Sequence, residues 1–393
     1  MTTNTSKNNT QHRVQFHGKA GEYFAIWLVN ALLTAITLGI YSAWATVRRR
    51  RYFYGNTEIN GDRFDYHAEP IQILKGRLLV IAGIILFYAV MAASPTLGVL
   101  LALAFAALIP IIVIRNWRYN AIMSSYRGIR FNYHCQTGRA YWVLLLCPIL
   151  LLLALYAVLV VVMVIGMQSN SPILAIFIAL VLATPGFAVV NGIMKMMQLD
   201  FYVNNLFFGK TTFNAELTKA AFIKIGLIGV LIIIPFVIVG LSFMSSSFLT
   251  SFQTAITGGG NEDEVISMMA SNTLNLMITL LVLLLGGLAS TCYQLVAQRN
   301  YLFNQTSLSG GVKLHSSMQT LSYIWLLITN SLITVFSFGW AAPVAEIRHA
   351  RYLANATMVE GDLALLHVQA HQDTANSALA EEAVQALDLG VGL

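Results

Sequence analysis

The sequence predicts an all-α, multi-pass membrane protein built from tandem helical hairpins that are joined by short β-type connectors on the cytoplasmic side. Three observations carry that prediction. Hydrophobic residues make up 57% of the chain and charged residues only 10%, where soluble domains carry roughly 25% charge. The apolar residues are gathered into eight long runs. Basic, aromatic stretches of matching pattern separate those runs.

The elements follow in chain order. Residues 1–13 are polar and read as a disordered N-terminus; the segment before the first apolar run has no apolar h-region and no small-residue cleavage site, so no cleaved signal peptide is expected. The apolar runs lie at 23–47, 78–93, 97–114, 141–166, 173–193, 221–243, 272–297 and 321–346. Each is near the roughly 20 residues that cross a hydrocarbon core about 30 Å thick. None alternates apolar with polar positions, so all read as helices rather than strands. Together they form a membrane domain over 14–367, with a mobile acidic tail at 368–393 in which SALAEEAVQALDLG has an amphipathic pattern. TGGGNEDE (Thr257–Glu264) lacks the spacing of a calcium or phosphate loop and reads as a solvated extracytoplasmic loop.

All 23 Lys and Arg residues fall in the N-terminal segment or in alternate connectors, and the other loops carry none. Basic residues beside short loops stay cytoplasmic. Eight straight spans cannot then place the N-terminal segment and the Arg48 connector on one side. The first run, with Gly39 near its middle, and the last, with Gly339 and Pro343, hold the residues that let a helix turn. Two readings stand at 23–47 and 321–346: a simple span, or a short re-entrant hairpin covered by protein.

Internal similarity organises the chain. RYFYGNTEINGDRFDYH (Arg51–His67) is echoed 67 residues later by RYNAIMSSYRGIRFNYH (Arg118–His134). The spacing of Tyr and Gly recurs at Tyr52/Gly61, Tyr119/Gly128, Tyr301/Gly310 and Tyr352/Gly361, followed by His67, His134, His315 (one position early) and His367. A degenerate copy contains Tyr202 and Gly209, and VQFHGKAGEYFAIW begins mid-unit. The two ends mirror each other at an offset of 300, with eleven identities between Asn30 and Asp62. The outcome is five related units, the outer two short. RFDYH, RFNYH and VKLH follow a turn-forming Gly with period-2 alternation, which reads as short strands able to pair into a small sheet.

The block NALLTAITLGIYSAWATVRRRRYFYGNT, followed by INGDRFDYH, resembles the YjgN-like bacterial inner-membrane proteins, a family of unknown function, and the similarity runs from about Val14 to His367. The resemblance implies a multi-pass protein of the bacterial inner membrane. It brings no substrate, cofactor or catalytic residue.

The candidate sites are few. Asn30 and Thr34, and likewise Asn330 and Thr334, lie four residues apart on one helix face. With Asn191 they are either a polar lining for a solute path or interhelical packing bonds. The histidine series is either a converging metal set or the interfacial residue of a repeated strand; no Cys, Asp or Glu accompanies it at a fixed offset, so no metal is expected. Arg48, Arg49, Arg50 and Arg51 are candidates for anionic lipid headgroups, or they only fix orientation. Tyr52, Trp117, Tyr119, Tyr141 and Trp142 suit an interfacial aromatic belt. Cys135, Cys147 and Cys292 read as packed thiols, without a disulfide framework. No ionisable residue sits at the centre of a span, which disfavours a proton relay. No nucleophile and base appear at a recognisable spacing, so no enzyme and no cofactor are expected. The basic residues flank spans, which points to membrane lipids and away from nucleic acid despite a pI near 9.2. Two functions remain: a facilitative transporter or channel for a small solute, or a non-transport scaffold that interacts with lipid.

Overall fold

The computed structural model describes residues 11–169, 171–243, 273–309 and 311–361. Gly310, His367, the TGGGNEDE loop and the acidic tail lie outside the described residues. Helices dominate. Six of them are long and apolar enough to cross a membrane: α3 (Pro70–Ala93), α4 (Pro95–Met123), α5 (Thr137–Gln168, with a π-helical turn at Trp142–Leu146), α6 (Pro172–Val203), α7 (Lys219–Ser242) and α8 (Thr273–Asn304).

The first and last apolar runs are helical hairpins. α1 (Ala20–Ile36) turns back into α2 (Ser42–Gly55), and α9 (Thr320–Phe336) turns back into α10 (Ala342–Asn355). The turns are matched in detail. Gly39 N–H donates to Thr34 O at 2.8 Å and Leu38 N–H to Ala35 O at 3.2 Å; Gly339 donates to Thr334 O at 2.8 Å and Phe338 to Val335 O at 3.0 Å. This is the left-handed cap that closes a helix C-terminus. The eight-span expectation therefore becomes six long helices and two short hairpins, which removes the parity conflict: every helix pair leaves and returns to the same side.

The all-α expectation is corrected by the connectors, which pair with one another into one eleven-stranded antiparallel sheet. Its strands are β1 (Gln11–Arg13), β2 (Gln15–Phe16), β3 (Thr57–Ile59), β4 (Asp62–Tyr66), β5 (Ser124–Tyr126), β6 (Ile129–Tyr133), β7 (Leu206–Phe208), β8 (Thr211–Ala215), β9 (Thr306–Leu308), β10 (Val312–Ser316) and β11 (Thr357–Glu360). A lone two-stranded hairpin is marginal in water, so pairing hairpin to hairpin is what makes such short strands stable. The second strand of each hairpin also bonds the first strand of the next, as in Phe64↔Tyr126 and Phe131↔Phe208.

The sheet closes on itself through the N-terminus. Gln11, His12 and Arg13 pair with Glu360, Val359 and Met358, Val14 N–H donates to Thr357 O at 3.1 Å, and Gln15 and Phe16 cross over to Glu58 and Thr57. Residues 11–13 are thus part of the ring. β1 and β2 each pair on one side only, so the ring is closed by the continuity of the chain through Val14. One apolar cluster fills the ring, with Tyr126, Phe208, Leu308, Val312 and Val359 buried and Ile59, Phe64 and Phe131 packed on them.

The helices close in the same order. Each packs on its neighbours in sequence, and α10 returns to α1. At that seam Val14, Phe16, Tyr23, Ile347 and Ala354 form one buried cluster.

Candidate functional site

The cavity most relevant to the sequence candidates is a groove of about 540 Å³ at the seam, lined by α1, α2 and Glu346 of α10. Asn30 and Thr34, one turn apart on α1, face it together with Ser42, Thr46 and Arg49. Asn30 is only 7% exposed, and its Oδ1 has no hydrogen-bond partner. Tyr23 Oη donates to Glu346 Oε2 at 2.7 Å, and Arg49 Nη1 stands 4.0 Å from the same oxygen. Arg77 of α3 reaches the hydroxyls of Ser42 and Thr46, the latter at 3.0 Å.

The other intramembrane polar residues are not brought to this groove. Asn330 Nδ2 donates to Ala345 O at 3.2 Å, and the Thr334 hydroxyl donates to Asn330 O at 2.8 Å. Both bonds lie within the α9–α10 hairpin. Asn191 is half-buried on α6. Asn330 and Asn191 do not line the seam groove.

The arginine run divides. Arg50 donates to Tyr66 Oη at 2.8 Å and to Asn120 Oδ1 at 2.7 Å, and Arg51 donates to the carbonyls of Tyr66 and Ala68, each at 3.2 Å. These two bolt α2 to β4. Arg48 is exposed and reaches Tyr41 Oη at 3.2 Å, and Arg49 lines the groove.

The joint residues act locally. Tyr52 Oη accepts Lys19 N–H at 2.9 Å and donates to Lys19 O at 3.0 Å; Tyr352 Oη does the same at Gln319, at 3.2 and 3.0 Å. Tyr301 Oη accepts Thr218 N–H at 3.2 Å. Each hydroxyl thereby caps the start of a helix, an end whose N–H groups have no partner inside the helix. Tyr119, whose hydroxyl donates to Gln72 Oε1 at 2.9 Å, is buried like Trp117, so neither forms an interfacial belt. Tyr141 donates to Ala107 O at 2.9 Å, and Trp142 is half-exposed. The three cysteines are free thiols.

The histidines do not converge. His67 Nε2 meets Ser125 Oγ at 2.8 Å, His134 sits against the Phe207 ring, and His315 Nε2 meets Glu360 Oε2 at 2.8 Å. Among the described residues no group of His, Cys, Asp and Glu is placed to hold a metal.

The backbone also corrects the alignment of the joints. The hairpin glycines with positive φ are Gly61 (+86°), Gly128 (+74°), Gly209 (+58°), Gly311 (+88°) and Gly361 (+131°). The fourth of these is Gly311; Gly310, which the spacing indicated, lies outside the described residues. The N–H groups of His17, His67, His134, Glu216 and Ser317 each donate to the carbonyl that ends a helix, at Asn56, Met123, Asn205, Gln305 and Ala356. Structurally, then, the positions equivalent to His67 are His17, His134, Glu216 and Ser317; His315 falls two residues before. His17 pairs with Glu58 at 3.1 Å. The missed signal was the partial match of the N-terminal strand, read as half a unit without its hairpin partner.

The sequence matches the family described as bacterial protein of unknown function (DUF898) over residues 11–386. The chain belongs to this family. It is 31% identical to the inner membrane protein YjgN of Salmonella typhimurium (strain LT2) over 91% of each chain. It is 28% identical to the protein of the same name from Escherichia coli O157:H7, over 90% of this chain and 89% of that one. With six apolar helices able to span a bilayer, this places the chain in the bacterial inner membrane as a multi-pass protein. No solved structure matches it.

Proposed function

We propose that the protein is a non-transport membrane scaffold that engages lipid along a ring of helical hairpins, with its β-ring on the cytoplasmic side. In this reading the chain is five related units, each a helix pair followed by a strand pair, and the fifth strand pair is completed by the N-terminal strand. The observation that carries it is the separation of the polar intramembrane residues. Asn30 and Thr34 face the seam groove, Asn330 and Thr334 bond within the α9–α10 hairpin and Asn191 lies on α6, while Phe, Tyr, Leu and Val side chains cluster on the ring below them. A solute path needs a continuous polar wall, and neither the seam groove nor the cavity over the ring is lined by these three positions together.

Orientation is supported by the basic residues. Those on α2, α4 and the strands cluster at the sheet end of the helices, and the outer turn at Ser94 has none, in keeping with the positive-inside tendency. The hairpin tips support insertion. Leu38 and Phe338 hold positive φ of 49° and 52° and are 94% and 93% exposed. Large apolar side chains held so at a turn are stabilised where hydrocarbon surrounds them. At 1.5 Å per residue, α1 and α9 reach about 25 Å, which suits a re-entrant loop.

Facilitated transport is the competing reading, favoured by the Asn30-lined groove. Solute flux into proteoliposomes separates the two. The scaffold reading expects flux at the level of empty vesicles; flux well above it that is lost in Asn30→Ala/Asn330→Ala overturns it. Thiol labelling at Thr5→Cys tests orientation, and reaction with an impermeant reagent from the periplasm sinks the cytoplasmic placement.

A further inference from the structure

A second cavity, of about 270 Å³, lies away from the seam where α6, α8, α9 and α10 meet. Its charged lining is Lys195 and Arg299, with His349, Tyr323 and Gln298 as the other polar groups. Among the described residues no carboxylate lines it. Arg299 donates from Nη2 to Thr357 Oγ1 at 2.9 Å and lies over the Phe303 ring at 4.3 Å, while its Nε–H is buried without an acceptor. No ion pair engages Arg299 or Lys195 among the described residues. Two acids on adjoining elements are occupied: Asp200 faces Arg139 at 3.7 Å and Asn204 at 2.8 Å, and Glu360 is bonded to His315. His349 Nε2 is turned to Tyr323 Oη at 3.3 Å.

A desolvated guanidinium is stable when an anion pairs with it, and its fork matches the oxygens of a phosphate. Lys195, exposed at the mouth, adds a second positive charge. The remaining wall is apolar, with Leu199, Leu295, Met318 and Leu353. At about 270 Å³ the space approaches the lower end of the roughly 300–1,000 Å³ usual for ligand sites. A further cavity of about 610 Å³ over the mouth of the β-ring shares Arg299, Phe303 and Leu353 with it.

We propose that this cavity binds a phosphate group carried on an apolar body, with Arg299 as the buried anchor and Lys195 as the gate. The site is independent of the seam groove and of the scaffold reading. The shared chemistry is a phosphate ester, whether a lipid headgroup or a soluble phosphate supplies it.

The test uses the full chain, delipidated in neutral detergent, with binding followed by native mass spectrometry and thermal shift. The probes are inorganic phosphate, dihexanoyl phosphatidylglycerol and dihexanoyl phosphatidylcholine. Binding of the anionic lipid at least tenfold tighter than the zwitterionic one, weakened at least tenfold in Arg299→Gln and in Lys195→Gln, supports a headgroup site. Equal occupation by inorganic phosphate, weakened by the same variants, supports the site with a soluble source. Lys195 is exposed, so Lys195→Gln keeps the test valid should Arg299→Gln fail to fold. Wild-type protein that binds none of the phosphates, or binding untouched by Lys195→Gln, overturns the proposal.

Discussion

Removing the side chain that locks the N-terminal strand should loosen the whole ring, and Phe16→Ala is the sharpest way to do it. Phe16 is 9% exposed, its ring stacks on Phe53 at 5.7 Å, and it belongs to the cluster that joins the two ends of the chain. Phe→Ala in a filled core costs about 3–5 kcal/mol; because Phe16 also borders the cavity over the ring, the lower end, about 3 kcal/mol, is expected. Val14→Pro attacks the same joint through the backbone. It deletes the N–H that bonds Thr357 O at 3.1 Å, losing about 1 kcal/mol of net hydrogen bond and roughly 1–2 more for the stranded carbonyl. Cys292, 1% exposed, supplies the reporter. In a Cys135→Ala/Cys147→Ala background, a thiol-reactive fluorophore reads the opening of the fold on heating in detergent. Leu103→Ala, on a lipid-facing position 62% exposed, is the control. Phe16→Ala should melt about 3–4 °C below it, at roughly 1.2 °C per kcal/mol for a chain of this length. Equal melting of Phe16→Ala, Val14→Pro and the control would refute the claim that this strand closes the ring.

Three further outcomes follow from the same geometry. Gly39→Ala and Gly339→Ala place a Cβ at φ of +92° and +88°, so each should lower stability by about 1 kcal/mol, and a clear difference between the two melts would show that the turns are not equivalent. Tyr52→Phe and Tyr352→Phe each remove two hydrogen bonds at a helix start, worth about 1–2 kcal/mol together; hydrogen exchange should quicken at Lys19–Tyr23 in one variant and at Gln319–Tyr323 in the other. His349 is held below the ordinary imidazole pKa, first by burial and then by the charge of Arg299. It stays neutral in the fold while the unfolded chain takes a proton below about pH 6.5. Its contribution is therefore full above that value and is lost as pH falls through the folded pKa. Melts at pH 7.5 and 5.0 should show a fall that His349→Gln reduces.

The sequence by itself determined the elements that rest on local composition. Long apolar runs make membrane helices wherever they occur, because backbone groups in hydrocarbon must bond within their own segment. Gly39 and Gly339, which left a span and a re-entrant turn equally open, and the strand pattern of RFDYH and RFNYH were visible for the same reason: each depends on a few neighbouring residues. The similarity of the two ends, 300 residues apart, was visible as well.

What only the tertiary structure decided is where distant segments meet. Strand pairing is blind to sequence distance, so nothing local shows that Gln11–Phe16 completes the last strand pair, or that the connectors form one closed sheet. Nor does spacing reveal that Asn30 shares a groove with Glu346 across the seam while Asn330 bonds within its own hairpin. Arg299 is the clearest case. In the sequence it is one basic residue near a helix end; in the fold its Nε–H is buried without an acceptor, and among the described residues no carboxylate lines the cavity beside it. Desolvation belongs to the packed molecule, so only the fold could turn that arginine into a site.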